Sequence, residues 1–400
     1  MSGVDSRYAW WRLAASAALS MLGSFGMWGV VVIFPALQAE FGVSRADVSI
    51  AYSTTMLGFG LGAMLLGRMI DTRGAFATMV LSSLLLIAGC VAGALAPSLW
   101  FLVVVQGVLI GFGSAAAFIP LMADISHWFH KRRALAMAIC GAGNYLGGAL
   151  WPKIIDAVTA AYDWRTAYFA VAAICLVGML PCCLFLRAPS PVHAGAGGAT
   201  APHSARALGL SPAALQVWLA IAGIGCCVAM AMPQVHIVAY CVDLGYGTSR
   251  GAEILSIMTA CGIVSRIVSG AIADRIGGIK TLLLGTTLQA ISLLGYLVSD
   301  RLVSLYLVSA LFGLVQGGII PSYGVIVREY FPPKEAGLRM GLTIFATIFG
   351  MAGGGWMGGK LFDLTGSYHA AFINGIVWNA LNGAIIWWLL MRQNRRLVYA

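Results

Sequence analysis

Long apolar runs and short polar breaks alternate along the whole chain. Twelve runs are long enough to cross a bilayer as helices: roughly 13–35, 48–69, 77–96, 99–124, 134–155, 165–187, 213–241, 250–273, 280–298, 302–327, 338–360 and 370–392. A span needs about 20 predominantly apolar residues, which each run supplies. One break differs from the rest. Residues 188–212, APSPVHAGAGGATAPHSARALGLSP, are rich in Ala, Gly, Pro and Ser and lack apolar periodicity, so they read as a flexible linker. The expected organisation is an all-α membrane protein with an N-terminal six-helix bundle over 1–187, a linker over 188–212 and a C-terminal six-helix bundle over 213–400.

Composition narrows the class. Of 400 residues, 60% are hydrophobic and only 10% charged. A soluble domain carries about 25% charged residues, so a soluble globular enzyme is excluded, and the apolar content excludes disorder. The 50 glycines suit helices that approach closely or bend in lipid. The net charge of +10 is scattered over loops and forms no stripe with interleaved aromatics, so a nucleic-acid partner is not expected. All nine cysteines lie in apolar segments without metal or disulfide spacing. No metal or cofactor is expected. No cleavable leader is evident, since the first run is span-length.

The basic residues orient the chain. With the N-terminus inside, 17 Lys and Arg fall on the inner side and six on the outer (Arg45, Lys153, Arg165, Arg250, Arg301 and Lys360). That bias predicts cytoplasmic termini and linker. Arg12 is counted among the inner loop charges, ahead of the first span. Arg266 alone falls on neither side.

An internal repeat is visible. GRMIDTRG at 67–74 returns as GAIADRIG at 270–277, 203 residues on. WF at 128–129 is echoed by YF at 330–331, and WRTAY at 164–168 by YHAAF at 368–372. The two signature loops resemble the G-x-x-x-D-R-x-G loop of major facilitator transporters, which are built from two parallel six-helix halves. The second copy fits fully. The first has Thr72 where Arg is usual, with Arg73 following. The resemblance implies a gate role for Gly67, Asp71, Arg73 and Gly74, and for Gly270, Asp274, Arg275 and Gly277. Such an Asp can accept from a facing helix N-terminus, and such an Arg can hold a carboxylate. Read alone, Asp71 and Asp274 would be solvated loop charges, a reading that two matched copies disfavour.

Arg266 carries the most chemistry. It lies eight residues before Asp274, so at about 1.5 Å per residue it sits about 12 Å inside the helix end. An arginine there costs about 2.5–3.5 kcal/mol on insertion scales, and a chain rarely keeps one without a use. Its planar fork fits a carboxylate. The competing reading is a pair with a buried acid, yet no acid lies mid-membrane; Asp124 and Glu253 are nearer helix ends. Thr259, Gly262 and Gly270 flank Arg266 at three- and four-residue steps and leave room for a ligand.

His236, three residues after Pro233, can bind a carboxylate or relay a proton, or be satisfied by backbone or water. VHIVAYCVDLG followed by SRIVSGAIADRIG resembles bacterial monocarboxylate porters. So does WFHKRRALAMAICGAG at 128–143. That resemblance implies that Arg266 contacts the substrate carboxylate with His236 nearby. Three departures matter. Gly262 stands where mammalian-type porters carry an Asp. GSFGMWG replaces the acidic-aromatic signature of the first helix. The second buried cation of the related oxalate:formate antiporters is missing from the eleventh span, where Lys360 comes only at the end. One buried cation matches one carboxylate, which favours monoanions. Val103 stands where proton-coupled facilitators usually carry Arg.

Asn144, Tyr145 and Tyr323 are further wall candidates. For Asn144 and Tyr323, helix–helix hydrogen bonding is an equal alternative. Trp28 and Tyr52 read as packing. Asp124 reads as a gate or a proton site, or as a loop ion pair with Lys131–Arg133. The expected function is proton-coupled transport of small monocarboxylates by alternating access. The expected partners are a carboxylate, a proton and the bilayer of a bacterial inner membrane, and the expected state is a monomer. An organic-anion exchanger without proton coupling is the alternative within transport. A carboxylate-binding sensor is the alternative outside it. Motifs for an intramembrane hydrolase are missing, so no enzyme is expected.

Overall fold

The computed structural model describes residues 3–189 and 208–398, and these are helical throughout, with no strand among them. The long helices are α1 (Arg7–Val32), α2 (Arg45–Arg73), α3 (Ala75–Ala94), α4 (Leu99–Ile125), α5 (Arg133–Ala161), α6 (Trp164–Leu184), α7 (Pro212–Asp243), α8 (Gly247–Ile276), α9 (Gly278–Leu297), α10 (Leu302–Tyr330), α11 (Pro333–Thr365) and α12 (Tyr368–Val398). A short helix, Phe34–Phe41, follows α1. Among the described residues, eleven helices are long and apolar enough to cross a membrane. The expected span at 134–155 is helical too, inside the 29-residue α5. Residues 190–207 of the expected linker lie outside the described residues.

Local chemistry sets the helix ends. Ser44 and Asp47 form a reciprocal capping box at the start of α2, and Asp163 caps α6 by accepting from the Thr166 amide. Gly42 and Gly366 end their helices in the left-handed region that glycine tolerates. Helix α1 begins six residues earlier than the apolar run suggests, because Ser6 caps it by accepting from the Ala9 amide. Arg12, expected in the loop before the first span, is therefore inside α1 and fully buried. Helix α4 is irregular. A π-turn at Gln106–Gly111, a tight turn at Ala115–Ala117 and a break at Phe118 just before Pro120 interrupt it.

The chain forms two compact units. One comprises Met1–Ala194 with Val235–Ala260, the other Gly195–Gln234 with Cys261–Ala400. Helices α7 and α8 are thus shared, the α7–α8 turn and its flanks belonging with the N-terminal helices.

Each unit contains a close glycine crossing. In the first, a Cβ on Gly58 of α2 would lie 1.9 Å from the Gly107 carbonyl oxygen of α4. In the second, a Cβ on Gly317 of α10 would lie 2.2 Å from the Gly262 carbonyl oxygen of α8. Gly262 therefore serves backbone approach, beyond the open space its position suggests.

The signature loops show the repeat in backbone detail. Gly74 adopts φ 84°, ψ 164° and Gly277 φ 82°, ψ 166°, a region essentially closed to other residues. Each glycine carbonyl accepts from a threonine hydroxyl four residues on, Thr78 at 2.9 Å and Thr281 at 2.8 Å. The matched glycines and the matched threonines thus share one local conformation in the two copies.

Candidate functional site

In the second unit, Arg266 projects from α8 and is partly buried. Gly270, one turn on, has nothing within 4 Å of where a Cβ would stand, so space opens on that side. Thr259, two turns before Arg266, is buried in the first unit, where its methyl lies near Gly148 of α5 and the edge of Trp28. The Thr259 hydroxyl donates to the carbonyls of Leu255 and Ser256. Trp28 is buried. The lack of a side chain on Gly148 admits its indole: a Cβ there would sit 2.9 Å from Nε1.

His236 is fully buried in the first unit, its ring 6.4 Å from that of Phe34. Asn144 and Tyr145 on α5 are buried in the same unit, and the Asn144 amide donates to the Met27 sulfur at 3.4 Å.

Tyr323 is engaged elsewhere. Its hydroxyl donates to Asn382 of α12 at 2.9 Å, and Asn382 in turn donates to Thr286 of α9 at 2.9 Å. Asn379 donates to the Thr286 carbonyl at 2.9 Å. All four side chains are buried. Of the two readings offered by the sequence, the structure displays helix–helix hydrogen bonding for Tyr323.

Asp124 is buried and paired with Arg12 of α1, a partner the sequence reading did not name. Its Oδ2 accepts from Arg12 Nη2 at 2.8 Å and from Nε at 3.1 Å. Arg12 also lies 4.5 Å over the Trp128 ring and donates to the Ala188 carbonyl at 3.0 Å. One guanidinium thus ties α1 to α4 and to the chain leaving α6. The segment before α1 adds to this knot. The Asp5 carboxylate accepts from the amides of His130 and Lys131, and Trp10 packs edge-on against Phe129. The sequence missed this arrangement because an Arg just ahead of an apolar run looks like an ordinary flanking charge. Only the coincidence of Arg12 with the Ser6 cap could have placed it in a helix.

Gly67 and Gly74 flank exposed Asp71 and Arg73, and Gly270 and Gly277 flank exposed Asp274 and Arg275. None of these four charged residues forms an ion pair among the described residues. At the second loop a further acid takes part. Glu329, at the end of α10, accepts from the Gly278 amide through both oxygens, at 3.1 and 3.2 Å. It thereby caps α9, and the positive helix end favours its charge. At the opposite end of α2, Arg45 pairs with Asp243 of α7. No group of His, Cys, Asp or Glu among the described residues is arranged to hold a metal.

The profile of the Major Facilitator Superfamily matches residues 16–303 and 253–398 of this chain. The MFS-type transporter pytF of Aspergillus terreus is 28% identical over 277 residues, 68% of this chain and 92% of that protein. Monocarboxylate transporter 13 of Rattus norvegicus is 27% identical over 375 residues, 91% of this chain and 85% of that protein. A crystal structure of a bacterial homolog of the human lysosomal transporter Spinster, in an inward-facing and occupied conformation, superposes with a TM-score of 0.69. It covers 98% of this chain and 97% of its own at 13% identity, a likeness of fold alone.

Proposed function

The chain belongs to the major facilitator superfamily and is a multi-pass membrane transporter rather than an enzyme; within that family, we propose that it carries small monocarboxylates by alternating access. The observation that carries this reading is Arg266, a permanently charged fork far inside a membrane helix with open space beside it. The partly buried guanidinium there presents a fork that fits one carboxylate. The naming of relatives as monocarboxylate transporters supports the same cargo.

In this reading twelve helices cross the membrane, with both termini and the 188–212 linker cytoplasmic. The bundles 1–187 and 213–400 rock around a midplane site. Arg266 holds the carboxylate, and His236, Asn144 and Tyr145 complete the wall. Tyr323 supports the wall through Asn382. Asp71, Arg73, Asp274 and Arg275 latch the inner side when it closes. The protein works as a monomer in a bacterial inner membrane. The proton travels with the substrate or on His236, because Asp124 is committed to Arg12 and Gly262 supplies no acid. The same two facts support a second reading, anion exchange without proton coupling.

The test is uptake of labelled mono- and dicarboxylates into proteoliposomes under an inward acid gradient. Arg266→Ala removes two charge-assisted hydrogen bonds at about 1.5–3 kcal/mol each, so uptake falls by about 100-fold or more. Uptake that survives the substitution removes Arg266 from the site. Uptake indifferent to the imposed gradient removes the proton and leaves the exchanger.

A further inference from the structure

Arg45 and Asp243 are 198 residues apart and meet in one fork-to-carboxylate contact: Nη2 to Oδ1 at 3.0 Å and Nη1 to Oδ2 at 3.2 Å. Two parallel charge-assisted bonds give geometric specificity that a lone surface pair lacks. The Arg45 side chain is only 9% exposed and that of Asp243 29%. Arg45 is the first residue of α2, fixed by the Ser44–Asp47 capping box. The neighbouring acid Asp47 is occupied by that box, and Arg250 and Glu253 pair with each other.

Two further facts give this pair a meaning. Asp243 follows His236 by seven residues on α7. At 3.6 residues per turn the two lie within about 20° of one face, about 10 Å apart along the axis. The α7 face that carries His236 next to Phe34 therefore carries Asp243 next to Arg45 two turns on. Secondly, Asp71 lies 26 residues after Arg45 on α2, about 39 Å away. The signature charges at that far end form no ion pair among the described residues, while the Arg45–Asp243 pair is made.

We propose that Arg45 and Asp243 form a latch on the outer side, one that holds the α7–α8 turn closed over His236 and must break before the transporter opens outward. The proposal rests on the alternating-access reading above and adds to it the contact that closes the outer path. Arg45, counted from sequence as an outer loop charge, joins residues from two halves of the sequence.

The first experiment reads access without any substrate. Phe34→Cys places a thiol beside His236, and a membrane-impermeant maleimide is applied from outside to the reconstituted protein. The unsubstituted protein controls for native cysteines. Adding Asp243→Asn is expected to raise the labelling rate about 2- to 5-fold, the scale of one partly exposed pair. The reversed pair, Arg45→Asp with Asp243→Arg, is expected to bring the rate back. Unchanged labelling in Asp243→Asn overturns the proposal, as does a folded reversed pair that labels as fast as the single variant.

The second experiment reads transport. The β-carbons of an Arg–Asp pair stand farther apart than the ~3.8 Å of a disulfide, so Arg45→Cys with Asp243→Cys is bridged by a short cleavable bis-thiosulfonate. Bridging is expected to stop uptake and cleavage to restore it. Uptake that continues through the bridge overturns the latch. If no acid moves even without substitutions, the cargo assignment fails, and the labelling experiment still decides the latch.

Discussion

The twin glycines of the signature loops permit a test with an internal control. Gly74 and Gly277 share φ and ψ within 2°, in a region that a residue with a Cβ avoids. Alanine at either site keeps the loop only by holding that conformation. Backbone strain of this kind costs about 1–3 kcal/mol. Sterics add little. A Cβ on Gly74 meets nothing within 4 Å, and one on Gly277 meets only the Glu329 carboxylate at an ordinary 3.5 Å. The expected loss is therefore conformational and nearly equal at the two sites: 1–3 kcal/mol, about 5- to 150-fold in the unfolding equilibrium. Denaturant titration in mixed micelles, followed by tryptophan fluorescence, measures it. The reasoning predicts that Gly67→Ala, near only Pro120 at 3.8 Å and without a positive φ, is close to neutral. Gly74→Ala and Gly277→Ala within about 0.3 kcal/mol of the unsubstituted protein would refute the strain account. So would a large loss at Gly67, which would point to sterics instead.

Other substitutions follow from the contacts. Arg12→Ala takes the paired guanidinium from the buried Asp124 carboxylate and should destabilise by about 3–5 kcal/mol, whereas Arg12→Met with Asp124→Leu should recover most of that loss in the same titration. Glu329→Gln weakens the cap on Gly278 and should cost about 1 kcal/mol, seen as faster amide exchange in the first turn of α9. The Asp163 carboxyl is held below its ordinary 3.8 by the hydrogen bonds from Thr166, backbone first. Because its folded value is the depressed one, the cap is fully present above pH 3.8 and is lost as pH falls below it. Exchange at the Thr166 amide should accelerate there, and Asp163→Asn should abolish the acid dependence.

The repeat was legible because it is written twice in a short motif whose last glycine has one conformational use. Arg266 was legible because charge is rare in an apolar run. What escaped the sequence are pairings across great separation. Arg12 and Asp124 are each unremarkable near a helix end, and nothing over their separation of 112 residues announces that they meet. Arg45 counts as an outer charge until Asp243 is seen beside it. Tyr323 carried two readings, and only the placement of Asn382 and Thr286 on neighbouring helices displays one of them. The glycine at 262 shows the same limit. The sequence suggested open space there, while the structure has it buried against Gly317, an approach that depends on where α10 passes.

The buried Arg12 also sets a timetable for making the protein. Helix α1 leaves the ribosome before α4 and α6, carrying a cation whose carboxylate partner follows 112 residues later and whose carbonyl partner at Ala188 follows 176 residues later. At ordinary synthesis rates the wait for Asp124 lasts about 6–20 s. During that time Arg12, only two turns into its helix, must reach back to the membrane surface and keep its charge in the headgroups. Helix α1 therefore emerges well before it is finished. It settles when α4 arrives and is locked only after α6, so a nascent chain arrested before residue 124 should hold α1 shallow and open to protease on the side where Arg12 lies. Assembly of the N-terminal helices closes at its beginning, like a ring whose first link is joined last.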